Sequence, residues 1–166
     1  LTPANETFMI NAYDSIVDGD TILWDEGHDQ FWTLDRFGDF EAAAEGAGYA
    51  IDATADLEAD LSGADAVVIT SPAAAFSDSE VSALSDFVDD GGAVFLHDQS
   101  DFEDFDATAN LNDLASGLDF RFRFNDDQVT DEQNNAGQSF VPTTSNFNTA
   151  FGFFEGEGLE NTTQYL

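Results

Sequence analysis

Cysteine and lysine are absent from this sequence, and the only arginines are Arg36, Arg121 and Arg123. The lack of cysteine excludes disulfides, thiolate nucleophiles and metal sites with cysteine ligands. Three arginines cannot line a basic groove for nucleic acid or hold an anionic membrane surface. No apolar run is long enough to span a bilayer. We therefore expect neither nucleic acid nor a membrane among the partners of this chain.

Acidic side chains dominate the charge. The 166 residues include 35 Asp and Glu, and the formal net charge is −32. A folded protein of this mass exposes on the order of 8,000 Å², so neighbouring carboxylates lie roughly 15 Å apart. Because the Debye length is about 30 Å in dilute salt and about 3 Å near 1 M, only concentrated salt screens their repulsion. The composition favours a halophile's protein, located in a salty cytoplasm or at the cell surface.

The hydrophobic residues, 42% of the chain with 17 Phe among them, are sufficient for one folded domain. They form short apolar runs that alternate with helical patterns, which predicts parallel strands joined by helices. Four buried strands are expected at about residues 21–26, 49–51, 66–70 and 93–96. Helices are expected to start near Asp29, Asp56, Ser77 and residue 106, with Ser77 and Glu80 forming a capping box.

A fifth strand is expected at Phe120-Arg121-Phe122-Arg123-Phe124, because the apolar and charged residues alternate strictly. The predicted fold class is therefore α/β, a three-layer α/β/α sandwich with a mostly parallel, doubly wound sheet. Residues 1–20 are expected to be an N-terminal extension or an edge strand. Residues 21–156 would form the α/β domain and residues 157–166 a loose tail, and we expect the whole to be part of a larger protein.

The strand end Leu23-Trp24-Asp25-Glu26-Gly27-His28 resembles a motif of class I glutamine amidotransferase-like domains of unknown function. Such domains occur in gliding-motility ABC-transport-associated proteins and in an intraflagellar transport subunit, and the chain is similar to haloarchaeal versions. Segments 65–93 and, more weakly, 124–131 also match. The resemblance implies a flavodoxin-like or amidotransferase-like sheet. It does not imply glutamine hydrolysis, because Thr70-Ser71-Pro72-Ala73 stands where the family's nucleophilic cysteine would be.

Polar side chains follow the ends of three predicted strands, and the carboxyl ends of parallel strands lie along one edge of a sheet. Two histidines and a carboxylate suit Zn²⁺ or another divalent cation, so His28, His97 and Asp98 are candidate metal ligands. The alternative is that both histidines bond to the backbone while Asp29 and Asp98 cap helices. The candidate ligand-binding residues are Asp25, Glu26, His28, Ser71, His97, Asp98 and Asp101.

Three other sites have weaker support. A serine hydrolase would use Ser71 with His97 and an Asp, but Pro72 has no amide for an oxyanion hole. A calcium site would lack the central glycine of a calcium loop; its ligands would be Asp98, Asp101, Glu103, Asp104 and Asp106. Arg121 and Arg123 would clamp an anion or, more simply, pair with carboxylates.

These patterns favour a non-catalytic domain that binds a small ligand or cation, or that acts as a scaffold for a neighbouring domain or protein. The alternative function is a metal-dependent hydrolase. Its strand-end site would be built from Asp25, Glu26, His28, His97 and Asp98. A divalent cation is the one cofactor that the pattern suggests, and the oligomeric state is not predicted.

Overall fold

The computed structural model describes residues 3–99, 105–148 and 150–154, and the backbone of residues 164–165. The chain forms two compact units. The first, the sheet unit, spans residues 17–127, and the second combines residues 1–16 with 128–166. The predicted end of the α/β domain at residue 156 is not the boundary between these units.

Strands and helices alternate along the sheet unit. Its strands are β1 (Thr21–Asp25), β2 (Ala50–Thr54), β3 (Ala66–Thr70) and β4 (Ala93–His97). The second unit contains α1 (Pro3–Ile16), and the sheet unit contains α2 (Gly38–Ala47), α3 (Leu57–Asp60), α4 (Asp78–Asp89) and α5 (Thr108–Gly117). Short 3₁₀ turns precede α2 at Leu34–Phe37 and follow α3 at Leu61–Gly63.

The four strands form one parallel sheet in the order β2-β1-β3-β4. This confirms the predicted α/β class. The inner strands β1 and β3 bury nearly every residue, as expected for apolar runs that are covered on both faces. The prediction of four buried strands is wrong for β2 and β4, which are only partly buried because they lie at the edges of the sheet.

Helices cover both faces of the sheet. From β1, Leu23 packs into a hydrophobic cluster on one face. Three helices supply side chains to this cluster: Leu57 from α3, Leu84 from α4 and Leu111 from α5. The next residue, Trp24, points to the opposite face, where its ring centroid lies 5.2 Å from that of Phe37 and 6.4 Å from that of Phe40. The arrangement is the predicted three-layer α/β/α sandwich.

The helix expected from Asp29 begins later than predicted. Asp29 is exposed and has a φ of 54°, in the left-handed region, so it does not lead directly into a right-handed helix. The chain becomes helical only at Leu34, and α2 starts at Gly38. Asp29 therefore does not cap a helix, and residues 29–33 form an irregular segment.

The predicted fifth strand is absent from the described part of the sheet unit. Side chains occupy the backbone groups that a strand would use for its ladder. The Arg123 guanidinium donates to the carbonyls of Phe120 (2.6 Å) and Phe122 (2.5 Å) and to Ser116 Oγ (2.6 Å). Asn112 bonds both the amide and the carbonyl of Phe124.

The alternation of phenylalanines at 120–124 still has a partial packing role. Phe120 and Phe124 pack against the hydrophobic cluster, whereas Phe122 is 51% exposed and stacks on Phe120 instead. Among the described residues, Arg123 bonds to carbonyls and a hydroxyl and not to the carboxylate that the simpler expectation gave it.

The second unit begins with an α-helix, so the edge-strand alternative for residues 1–20 is wrong. Pro3 occupies the first turn of α1, where its missing N–H has no helical partner to lose. Phe8 of α1 stacks on Phe154 at 5.4 Å. In the predicted tail, Gln164–Tyr165 (β6) pairs antiparallel with Thr143–Thr144 (β5), and residues 157–163 and 166 lie outside the described residues.

None of the helices in the described ranges combines the length and the apolar character needed to cross a bilayer.

Candidate functional site at the strand ends

The strand order places a topological switch point between β1 and β3. From β1 the chain first moves outward to β2 and then returns past β1 to β3, so the connections leave these two strands in opposite directions. Ligands of doubly wound sheets bind at the carboxyl ends of such a pair of strands. Asp25 is the last residue of β1, and Ser71 directly follows β3. Both predicted site residues therefore lie at the switch point.

Asp25 is the centre of a buried hydrogen-bond network. Its side chain is fully buried. Its Oδ1 accepts from the Gly27 amide at 3.0 Å, and its Oδ2 accepts from His28 Nδ1 at 2.8 Å and from the Gln30 side-chain amide. The oxygen of that Gln30 amide accepts from the His28 backbone N–H at 2.8 Å. All of the Asp25 partners thus come from the five residues that follow it.

Gly27 is required by this turn. A Cβ at position 27 would lie 2.9 Å from the carbonyl oxygen of Ala55, closer than real Cβ contacts. The spacing Asp25-Glu26-Gly27-His28 therefore has a structural cause, because the turn folds His28 back onto the carboxylate that ends β1.

The His28 ring lies between two carboxylates. Its Nδ1 bonds to Asp25, and its Nε2 is 3.2 Å from Glu80 Oε1. The ring also stacks on Phe76, with centroids 3.7 Å apart. Because an ionised carboxylate only accepts hydrogen bonds, a position between two carboxylates favours the ring that carries protons on both nitrogens, the imidazolium.

Electrostatics agree with this protonation state. Burial lowers the pKa of His28, but the hydrogen bond and charge of Asp25 and then those of Glu80 outweigh it, so the pKa lies above its ordinary value. Burial raises the pKa of Glu80, but the hydrogen bonds from Ser77 and the charge of His28 outweigh it, so that pKa lies below its ordinary value. The surroundings of His28 therefore favour its charged form.

Sequence reasoning placed Glu80 only in a capping box. The box is present: the Glu80 amide donates to Ser77 Oγ at 3.3 Å, and Glu80 Oε2 accepts from the Ser77 amide at 2.8 Å. The other carboxylate oxygen of Glu80 faces His28. The missed signal was topological, because α4 follows β3 and its amino end must lie at the same sheet edge as the carboxyl end of β1.

Glu26 contributes to the same loop but not to the His28 network. Its Oε1 accepts from the Leu34 amide at 2.8 Å, and its own amide donates to the Thr54 carbonyl at 2.7 Å. Glu26 therefore holds the start of the 3₁₀ turn before α2.

Ser71 and Asp98 form a second cluster. Ser71 is buried and has a φ of 36°, a rare left-handed value for a residue other than glycine. Its hydroxyl donates to Asp98 at 3.2 Å, and Asp98 also accepts from the Ala107 amide at 2.9 Å and from the Thr108 hydroxyl at 3.1 Å. Asp98 therefore holds the start of α5.

His97 does not provide Ser71 with a base. The backbone carbonyl of His97 accepts from the Ser71 amide at 2.8 Å, while the Ser71 hydroxyl is directed to Asp98. Burial lowers the pKa of His97 and so favours its neutral form. The structure therefore does not form the Ser-His pair that a serine hydrolase requires.

The candidate metal ligands do not come together in the described residues. No group of three or more His, Asp or Glu side chains has the arrangement of a metal site there. His28 belongs to the cluster with Asp25 and Glu80, whereas Asp98 belongs to the cluster with Ser71. Of the suggested ligand and calcium residues, Asp101, Glu103 and Asp104 lie outside the described residues.

The chain itself crosses the switch-point crevice. The backbone carbonyl of Trp32 accepts from the Trp24 indole of β1 at 2.9 Å and from the Thr70 hydroxyl of β3 at 2.8 Å. The Trp32 indole donates to the Gln99 side chain, just beyond β4, at 3.0 Å. The loop of residues 26–33, the β1 loop, therefore spans the ends of three strands at the position where a ligand of this fold class would bind.

Two cavities in the described ranges lie away from this edge. One, of about 520 Å³, lies near the amino ends of the strands and is lined by residues such as Asp65, Phe87 and Asp90. The other, of about 400 Å³, belongs to the second unit and is lined by residues 129–131, 134 and 142–146.

Comparison of the chain with known protein families, with curated proteins and with solved structures finds no match.

Proposed function

We propose that this chain is a non-catalytic binding or scaffolding domain of a halophile. The observation that carries the proposal is the β1 loop, which crosses the crevice where an α/β enzyme of this strand order would hold its substrate. The polar groups that would perform chemistry there already have partners within the chain. The domain therefore offers its outer surface to a neighbouring domain, protein or small ligand.

The residues that suggested catalysis support this reading. A general base needs a free lone pair directed at the substrate, but both His28 nitrogens face carboxylates. A metal-bound water needs an open coordination position, but Asp25 is enclosed by donors from its own loop. Both groups stabilise the turn that places the β1 loop across the sheet edge.

The halophilic part of the proposal is supported by charge. The chain has 35 acidic residues and three basic ones, and of its two histidines only His28 has a pKa raised above the ordinary value. The rest of the negative charge must be screened by salt.

Hydrolysis assays test the proposal against the alternative, a metal-dependent hydrolase. Generic ester and phosphodiester substrates are incubated with the protein in molar KCl, with Zn²⁺ or Mn²⁺ and separately with a chelator. We expect no turnover above the protein-free rate under either condition. Chelator-sensitive turnover that is lost in His28→Ala but kept in Asp52→Ala, a change at an exposed strand carboxylate, would establish the hydrolase instead.

A further inference from the structure

The outer edge of β4 has backbone groups that no other described residue pairs with. The Ala93 amide donates to Asp65 and the Ser71 amide donates to His97, both across the pairing of β3 with β4. Because parallel strands alternate their hydrogen-bonding direction, Ala93, Phe95 and His97 bond to β3. Val94 and Leu96 therefore direct their N–H and C=O groups away from the sheet. Within the described residues no strand pairs with that side of β4.

This edge lacks the usual protection against strand pairing. In natural proteins, charged residues, proline or bulges commonly prevent an edge strand from pairing with another chain. Residues Ala93 to Leu96 contain neither a charge nor a proline, whereas the opposite edge strand, β2, exposes Asp52. Of the two edge strands, β4 is therefore the one whose residues do not oppose pairing with another strand.

We propose that β4 pairs antiparallel with β4 of a second copy of this chain, so that the two sheets become continuous. A two-fold axis at Phe95 places Val94 opposite Leu96 of the other copy, and the reverse. Each copy then supplies two outward N–H groups and two outward C=O groups, which together make four hydrogen bonds and leave none of these groups unpaired.

The net charge opposes pairing except in concentrated salt, and an uncharged strand edge is where that opposition is least. Two copies that each carry a net charge of −32 repel one another, and the uncharged run Ala93 to Leu96 lets the backbones approach without opposing carboxylates. A basic partner peptide would prefer the acidic surface, and its binding would weaken with salt. Pairing of two copies strengthens with salt, because screening removes the repulsion.

The association is expected to be weak and reversible. Stable interfaces bury roughly 1,200–2,000 Å² in total, more than a five-residue strand edge covers. The pair therefore forms at high protein concentration. A parent protein that holds two copies of this domain close together would favour pairing, because it raises the effective concentration of one copy near the other.

Amide hydrogen exchange measured residue by residue by NMR tests this inference. In about 3 M KCl, raising the protein from roughly 50 µM to about 1 mM should slow exchange at Val94 and Leu96 at least about fivefold. The Phe95 amide, which bonds within the sheet, should be protected at both concentrations. Equal protection of Val94 and Leu96 at both concentrations, or none at either, would overturn the proposal.

Val94→Pro is the matched variant. It removes the outward N–H of residue 94 and puts the proline ring in the path of the partner strand, while proline is tolerated on the free side of an edge strand. It should abolish the concentration dependence at Leu96 while the Phe95 amide stays protected. Persistence of that dependence in a folded variant would contradict the pairing. If Val94→Pro does not fold, the exchange measurement on the unaltered protein still decides, and neither result depends on whether the strand-end site is catalytic.

Discussion

Replacing Asp25 with alanine is expected to destabilise the sheet unit by about 4 kcal/mol. The change removes the acceptor for Gly27, His28 and Gln30 and leaves the buried imidazolium with Glu80 as its remaining counter-charge. Removing one partner of a buried ion pair typically costs about 3–5 kcal/mol, because the other charge is left uncompensated. This is a large part of the roughly 5–15 kcal/mol that keeps a typical domain folded.

Asp25→Asn should be milder, at about 2 kcal/mol. It keeps the size of the side chain and one acceptor oxygen but loses the charge that strengthens the bond to His28. Asp52→Ala is the matched control, because Asp52 is an exposed carboxylate on the neighbouring strand β2. A surface change of this kind should stay within about 0.5 kcal/mol.

The measurement is unfolding by urea in about 3 M KCl, monitored by circular dichroism. Urea is preferred because guanidinium chloride would itself change the ionic strength and so the screening of the acidic surface. A loss below about 1 kcal/mol for Asp25→Ala, or a loss equal to that of Asp52→Ala, would refute the reasoning.

Three further predictions concern pH, the cap of α4 and salt. The pKa of His28 is raised on folding, so its contribution to stability is complete below its unfolded pKa of about 6.5 and is lost as the pH rises through its folded pKa. Urea titrations above pH 6.5 should show this decline in the unaltered protein but not in His28→Gln, and parallel profiles would contradict it. Glu80→Gln should lower the free energy of unfolding by about 1–2 kcal/mol, and Ser77→Ala by about 1 kcal/mol. The loss should be larger for Glu80→Gln because Glu80 contacts both the cap and His28. Equal losses in urea unfolding would exclude a role for Glu80 in holding His28. Reducing KCl to about 10 mM should abolish the circular dichroism of the folded state, and an unchanged spectrum would remove the argument for salt adaptation.

Local patterns predicted the inner layer of this fold well. The continuous apolar run Ala66 to Thr70 and the Ser77–Glu80 capping box both depend on neighbours in sequence, and both appear as predicted. The position of Asp25 at the end of β1 followed from the same reasoning, because a strand end can be read from where the apolar run stops.

Features that depend on distant partners were not predictable in this way. The alternation at Phe120 to Phe124 is typical of a strand, but Arg123 and Asn112 occupy the backbone groups that pairing would need. The apolar run in Thr7 to Ile10 is too short to separate helix from strand by periodicity, and it belongs to α1.

The sequence indicated that Asp25 and Ser71 lie at strand ends, but it did not predict how the side chains there bond to one another. His28 and His97 were grouped because both follow strands, yet the partner of His28 is Glu80, which is 52 positions later and was already explained by its cap. The carbonyl of Trp32 bridges β1 and β3, and no sequence pattern indicated this contact. Such backbone contacts leave no pattern in the residue types themselves.

The most direct test of the account is the nitrogen NMR spectrum of the His28 ring at pH 7 in molar KCl. The central claim is that this ring is a structural imidazolium held by Asp25 and Glu80. We expect both ring nitrogens to be protonated, both N–H signals to be protected from exchange, and neither to change when Zn²⁺ is added. A neutral ring with one free nitrogen, or signals that shift with Zn²⁺, would contradict the claim and favour a metal-dependent site.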